Sequence, residues 1–150
     1  MSENAKKKHH HGNLKEALVH AGIELLEEGG IEGLTLRKCA ARAGVSHTAP
    51  AHHFDGLPGL KIAIAEQGFH IFSGHMNESL AGVEDEKERL RSICRGYLRF
   101  GLEHPGLLKV MFGSGLASLV PTSREGGEAY NILRHVCAPF VPEGQNPQIV

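Results

Sequence analysis

Apolar positions along this chain recur three and four residues apart rather than every second residue, and that spacing predicts helices. In "NLKEALVHAGIELLEEGG" a stripe of Leu14, Leu18, Ala21 and Leu25 follows Asn13, a suitable N-cap, and stops at Gly29 and Gly30. After "IEGL", Thr35 is placed to cap a short second helix in which Leu36, Cys39, Ala40 and Ala43 share a face, and Gly44 ends it. Ser46 is expected to cap a third helix, with Val45 and Pro50 as a hydrophobic staple; a proline at the end of the first turn forfeits at most one backbone hydrogen bond. "DGLPG" then breaks the chain, and Pro58 suits the first turn of a long helix. Ile62, Ile64, Phe69, Ile71, Phe72 and Met76 spread around that helix, the pattern of a connector packed on two sides. Leu90, Ile93, Tyr97 and Phe100 form the next stripe, ended by Pro105. "GLLKVMFG" reads as a short apolar helix, "SGLASLVPTSREGG" as a loop, and "EAYNILRHVCAPF" as a last helix stopped at Pro139. No segment alternates as a strand would, so the fold class is all-α.

At 150 residues the chain is long enough for one core, and a formal charge of -1 supplies no global field toward nucleic acid, so any such binding must come from a local patch. Cys39, Cys94 and Cys137 are odd in number and widely spaced, which fits neither a metal knuckle nor a disulfide framework. Buried thiols are commonly inert; only Cys94, near Arg91 and Arg95, has surroundings that would suit redox sensing. No apolar run approaches the roughly 18 residues of a membrane span, and "MSENAKKKHHHG" is polar where a signal peptide would be apolar. A cytoplasmic protein without membrane attachment is the expectation.

Two short helices joined by "AGVS" and preceded by a longer one make the helix-turn-helix pattern, in which the second of the pair enters the major groove. The stretch "GIEGLTLRKCAARAGVSHTAPAHHF" resembles the N-terminal DNA-binding domain of the TetR family of transcriptional regulators, and "YLRFGLEHPGLLKVMFG" is similar to the ligand-binding region of one subgroup, in which a His-Pro-ended helix precedes a Met-Phe helix. The resemblance implies a homodimeric repressor that binds a palindromic double-stranded DNA operator and is released by a small apolar or aromatic effector. It also implies three segments: a flexible basic arm over 1–12, a DNA-binding domain over 13–57 and a helical ligand-binding and dimerisation domain over 58–150, apparently lacking the family's last helices. By position, Thr35 and Arg37 would contact phosphates, and Ser46, His47, Thr48, Ala49, His52 and His53 would lie along the groove, His53 on a phosphate. Lys6, Lys7 and Lys8 would add a salt-dependent backbone term from the arm. Ala51 and Leu57 depart from the family pattern, which has a tyrosine and a lysine there. Phe69, Phe72, Met76, Tyr97, Phe100, Met111 and Tyr130 are the expected lining of the effector pocket.

The histidines do not suggest a metal site at this level, and no cofactor is expected. His52 and His53 are adjacent, roughly 100° apart on a helix, and cannot share one ion. His9, His10 and His11 lie in the expected arm, where a loose metal contact competes with a solvated tail or tag remnant. No GxSxG, HExxH or Cys-His catalytic setting occurs, so the chain is not expected to be an enzyme. The alternative reading is a helical small-molecule-binding or interaction protein whose grip on DNA has weakened, motivated by Ala51 and Leu57.

Overall fold

The computed structural model describes the backbone of residues 3–113 and 124–142, with side chains from Leu14 onward in that span. Every regular element among the described residues is helical: α1 (Glu3–Gly29), α2 (Leu36–Arg42), α3 (Gly56–Leu80), α4 (Glu86–Glu103), α5 (Pro105–Gly113) and α6 (Arg124–Cys137), with 3-10 turns at Ile31–Gly33, Ala49–His52 and Ala138–Phe140. The chain forms two compact units, Met1–Ala65 and Glu66–Val150, and the division falls inside α3.

In the first unit, Leu18, Ala21 and Leu26 of α1 are buried, as are Leu34, Cys39, Ala40, Phe54, Leu60 and Ile64. Leu14 and Leu25, expected on the buried stripe, are half-buried. The stripe is displaced because Gly22 contributes a contact that a hydrophobicity pattern does not register: a Cβ built there would meet Ile64 Cδ1 at 2.5 Å. The backbone of α1 also starts at Glu3, ahead of the expected cap at Asn13; the intervening "NAKKK" has no proline and carries good helix formers. Arg42 at the end of α2 ties back to α1, its guanidinium donating to Glu28 Oε1 and Oε2 at 2.8 and 2.6 Å and to Glu24 Oε2 at 3.2 Å. The Arg42 hydrogen bond holds the Glu28 carboxyl below the usual carboxylate range.

In the second unit, Asp85 accepts from Glu88 N–H at 2.9 Å and caps α4. The buried face of α4 is Ile93, Gly96 and Phe100, with Ser92 beside them; Leu90 is half-buried and Tyr97 is 39% exposed, so the face is rotated from the expected stripe. Glycines again set the crossing. A Cβ on Gly96 would lie 2.9 Å from the His75 carbonyl oxygen and 2.6 Å from Ser79 Oγ, and one on Gly68 would lie 2.7 Å from Met111 Sδ. The residues expected as the loop between α5 and α6 lie, for 114–123, outside the described residues; α6 begins at Arg124, earlier than "EAYNILRHVC" suggested, and ends at Cys137, with Pro139 in the 3-10 turn that follows.

Gly96→Ala is expected to destabilise the protein by about 1–3 kcal/mol because a backbone carbonyl cannot yield as a side chain can. Gly74→Ala, on an exposed helical position with nothing within 4 Å, should instead stabilise by roughly 0.5–1 kcal/mol. Thermal denaturation of both variants would reveal opposite signs; equal shifts would contradict the crossing. Since the folded pKa of Glu28 is depressed, its contribution is present above the unfolded carboxylate value and is lost as pH falls through the folded one. The melting temperature of Glu28→Gln should therefore lie below that of the parent at neutral pH and merge with it in acid.

Candidate nucleic-acid interface and effector groove

The short helix α2 is delimited at both ends by side-chain and glycine chemistry. Thr35 Oγ1 accepts from Lys38 N–H at 3.2 Å, the expected N-cap. At the other end Gly44 stands at φ 68, with its N–H on the Ala41 carbonyl at 3.2 Å and the Val45 N–H on the Ala40 carbonyl at 2.9 Å. That pair of bonds is a Schellman motif, and glycine is the residue that reaches its left-handed position without strain.

The third helix does not form as an α-helix. The Ala49, Ala51 and His53 N–H groups donate to the Ser46, Thr48 and Pro50 carbonyls at 3.0, 3.2 and 3.0 Å, a 3-10 pattern that closes as the turn Ala49–His52. Pro50 has no N–H to give the Ser46 carbonyl, so that carbonyl accepts from Ala49 instead and the segment winds tightly. Ser46 does not cap this turn, whose N-cap is Thr48 without a side-chain bond; the Ser46 Oγ accepts from Thr48 N–H at 3.2 Å in a local turn ahead of it. Val45 is half-buried and Pro50 buried. The Ser46 and Thr48 hydroxyls meet at 2.7 Å; whichever donates, the pair retains one hydroxyl proton for an outside acceptor.

Among the residues expected on DNA, Thr35, Arg37, Ser46, His47, Thr48 and His52 are exposed, while Ala49 and His53 are half-buried, the His53 ring 6.3 Å from that of Phe54. Lys6, Lys7 and Lys8 lie outside the described side chains. Lys38, which the sequence reading passed over, is exposed beside Arg37, and among the described residues neither takes part in an ion pair. Arg42 was also passed over; two acids one helical turn apart, Glu24 and Glu28, were the available signal for it. Ala51 is exposed and Leu57 half-buried.

The residues expected to line an effector pocket are distributed otherwise. Phe69, Phe72, Met76, Phe100 and Met111 are closely packed, none more than 5% exposed, and the Phe72 ring lies 5.1 Å from Phe100 and 5.3 Å from Tyr97. Tyr97 and Tyr130 are each 39% exposed. An open groove of about 870 Å³ shares none of these seven; Asn77 and Leu80 of α3, Arg89 of α4, and Arg124, Arg134 and His135 of α6 line it. Three arginines and one acid, Glu128, share its lining with the amides of Asn77 and Asn131 and the apolar Leu80, Ile132 and Val136. Burial pushes the Cys39 thiol up, in keeping with an inert core position. Cys94 is exposed and Cys137 half-buried, while Arg91 and Arg95 beside Cys94 both bond Glu88, at 3.2 and 2.8 Å. No described helix is long and apolar enough to cross a membrane.

Comparison with known proteins fits both units. Residues 18–56 match the family described as bacterial regulatory proteins, tetR family, and residues 90–150 match the tetracyclin repressor-like C-terminal domain. The nucleoid occlusion factor SlmA of Photobacterium profundum is 30% identical over 105 residues, covering 69% of this chain and 54% of that protein. The chain thus spans about half the length of the curated relatives it matches. A Rhodococcus sp. RHA1 protein of unknown function superposes with a TM-score of 0.67 at 30% identity, over 85% of this chain and 66% of that one. A TetR family transcription regulator from Marinobacter aquaeolei VT8 has the same fold, with a TM-score of 0.68 at 20% identity over 87% and 70% of the two chains. The chain belongs to the TetR family of bacterial regulatory proteins.

Proposed function

We propose that the protein is a non-enzymatic, DNA-binding transcriptional regulator of the repressor type, acting as a homodimer on a palindromic operator and released by a small molecule. The observation that carries this reading is the Schellman-ended α2 followed by a tight turn, which leaves Arg37, Lys38, His47, Thr48 and His52 exposed in one short segment. Arg37 and Lys38 supply the sequence-blind attraction to phosphate, since neither has a carboxylate partner among the described residues. Thr35 keeps a hydroxyl proton for a phosphate oxygen while its oxygen holds Lys38 N–H. His47 and His52 offer single hydrogen bonds rather than the bidentate fork of arginine, so base discrimination is modest. His53 takes a phosphate. Two copies are needed because paired half-sites demand two such segments in fixed register.

For the effector, the groove lined by Arg89, Arg124 and Arg134 against the single acid Glu128 favours a molecule carrying an anionic group beside an apolar body, in place of the apolar or aromatic one expected from Phe69, Phe72, Met76, Tyr97, Phe100, Met111 and Tyr130.

Titration of DNA from upstream of the protein's own gene, followed by fluorescence anisotropy at two salt concentrations, should give specific binding that weakens as salt rises. Arg37→Ala should weaken binding to all sequences and reduce the log–log salt slope by about one. His53→Ala should also lower affinity at moderate salt. Absence of specific binding, or a slope of zero, would leave the small-molecule-binding protein with decayed DNA contacts as the correct description, and a strictly monomeric mass in light scattering would count against the palindrome.

A further inference from the structure

The second unit brings together three side chains that the regulator reading does not use. His75 of α3, Glu103 at the end of α4 and His104 just beyond it each present one donor atom, and the three atoms all lie within 4.8 Å of one another. His75 Nε2 is 3.6 Å from Glu103 Oε2. In a tetrahedral site with bonds of roughly 2.0–2.1 Å, ligand atoms stand about 3.4 Å apart, so that pair is already close to a coordination edge. The His75 and His104 rings are 5.8 Å apart and nearly perpendicular.

Chain chemistry explains how neighbouring residues 103 and 104 converge. On a continuous helix they would diverge by roughly 100°. Pro105 disfavours the helical conformation for the residue before it, and His104 sits at φ -130, ψ 57, off the helix although its N–H still reaches the Phe100 carbonyl at 2.8 Å. The break brings the imidazole toward His75. Both histidines are partly buried, and Glu103 is exposed, which leaves the cluster reachable from solvent.

We propose that His75, Glu103 and His104 form a three-ligand site for a divalent transition ion, Zn²⁺ foremost, with a fourth position open to water or to a donor atom of a small ligand. Two imidazoles and one carboxylate are a borderline donor set suited to such ions rather than to Ca²⁺ or Mg²⁺. Arg99 regulates access. Its Nε and Nη2 lie 3.2 and 3.1 Å from His75 Nδ1, and because guanidinium can only donate, that nitrogen accepts and the ring proton is on Nε2, facing Glu103. An ion on Nε2 moves that proton to Nδ1 and displaces Arg99, which retains Glu78 at 2.7 Å and Glu103 at 3.7 Å as alternative partners. Glu103 is then shared between the ion and the arginine, a carboxylate with an oxygen for each. The inference stands independently of whether the first unit binds DNA.

Zn²⁺ titration by calorimetry, with Co²⁺ as a spectroscopic probe, tests it on the full chain carrying His9→Ala, His10→Ala and His11→Ala, so that the N-terminal histidines make no contribution. One ion per chain should bind, with the intense visible bands of four-coordinate Co²⁺. Glu103→Gln, an exposed change that leaves the fold intact, should weaken binding at least about tenfold, as should His75→Gln. Arg99→Gln should tighten binding several-fold by removing a competing cation, an effect that an ion-pair network without a metal role would not produce. Loss of all binding with the N-terminal substitutions, or affinity indifferent to Glu103 and His75, would overturn the site.

Discussion

The close approach of α3 to α4 at Gly96 is the constraint on which the second unit depends. With no side chain at that position, the His75 carbonyl and Ser79 come within 3 Å of where a Cβ would stand. The Ser79 hydroxyl turns inward and donates to the His75 carbonyl at 2.7 Å, so the backbone at the crossing is also tied along α3. One turn further along α4, Phe100 meets Phe72, and Arg99 and Glu103 on either side of it in the chain reach the His75 ring. The aromatic core and the polar cluster are therefore two consequences of the same contact. Gly68 does the corresponding service for α5, admitting Met111 and Leu107.

Glycine's part in these crossings also explains which features the sequence made legible. Helix spacing, the caps at Thr35 and Asp85 and the stop at Gly44 depend on local chemistry, and a reading along the chain finds Thr35 and Gly44 directly. Buried faces depend on what approaches from elsewhere. A glycine counts for nothing in an apolar stripe, so Tyr97 and Leu90 were expected inside while Gly96 was not. The failed α-helix after Ser46 has the opposite origin: Pro50 was visible and its single lost bond correctly counted, but the tighter winding it permits was not, because the preference between 3-10 and α geometry over so few residues is small. The groove between α3, α4 and α6 was illegible for a third reason, since Asn77, Arg89 and Arg134 are ordinary polar residues in the sequence until three helices bring them together.

The histidines show how one geometric rule can both exclude and admit a site. Adjacent residues on a helix diverge, the ground on which His52 and His53 were not expected to share an ion, although the 3-10 turn that forms there ends at His52 and leaves it exposed and His53 half-buried. The rule lapses where the helix ends between the two residues. At Glu103 and His104 a proline supplies that ending, so sequence adjacency becomes spatial convergence. The same dipeptide that terminates α4 thus sets the chemistry at its end.

Charge distribution supplies the remaining step from fold to function. The net charge of -1 conceals a division among the arginines. Arg42, Arg91, Arg95 and Arg99 each bond a carboxylate, and their fields are largely cancelled at the distance of an approaching polyanion. Arg37 has no such partner among the described residues, nor has Lys38. Because counterion release depends on the phosphates neutralised by available cations rather than on total charge, a nearly neutral protein can still bind DNA through a few unpaired side chains. Arg42 has a different part: by holding α2 against Glu24 and Glu28 of α1 it fixes the backbone that presents Arg37, so the paired arginine positions the unpaired one.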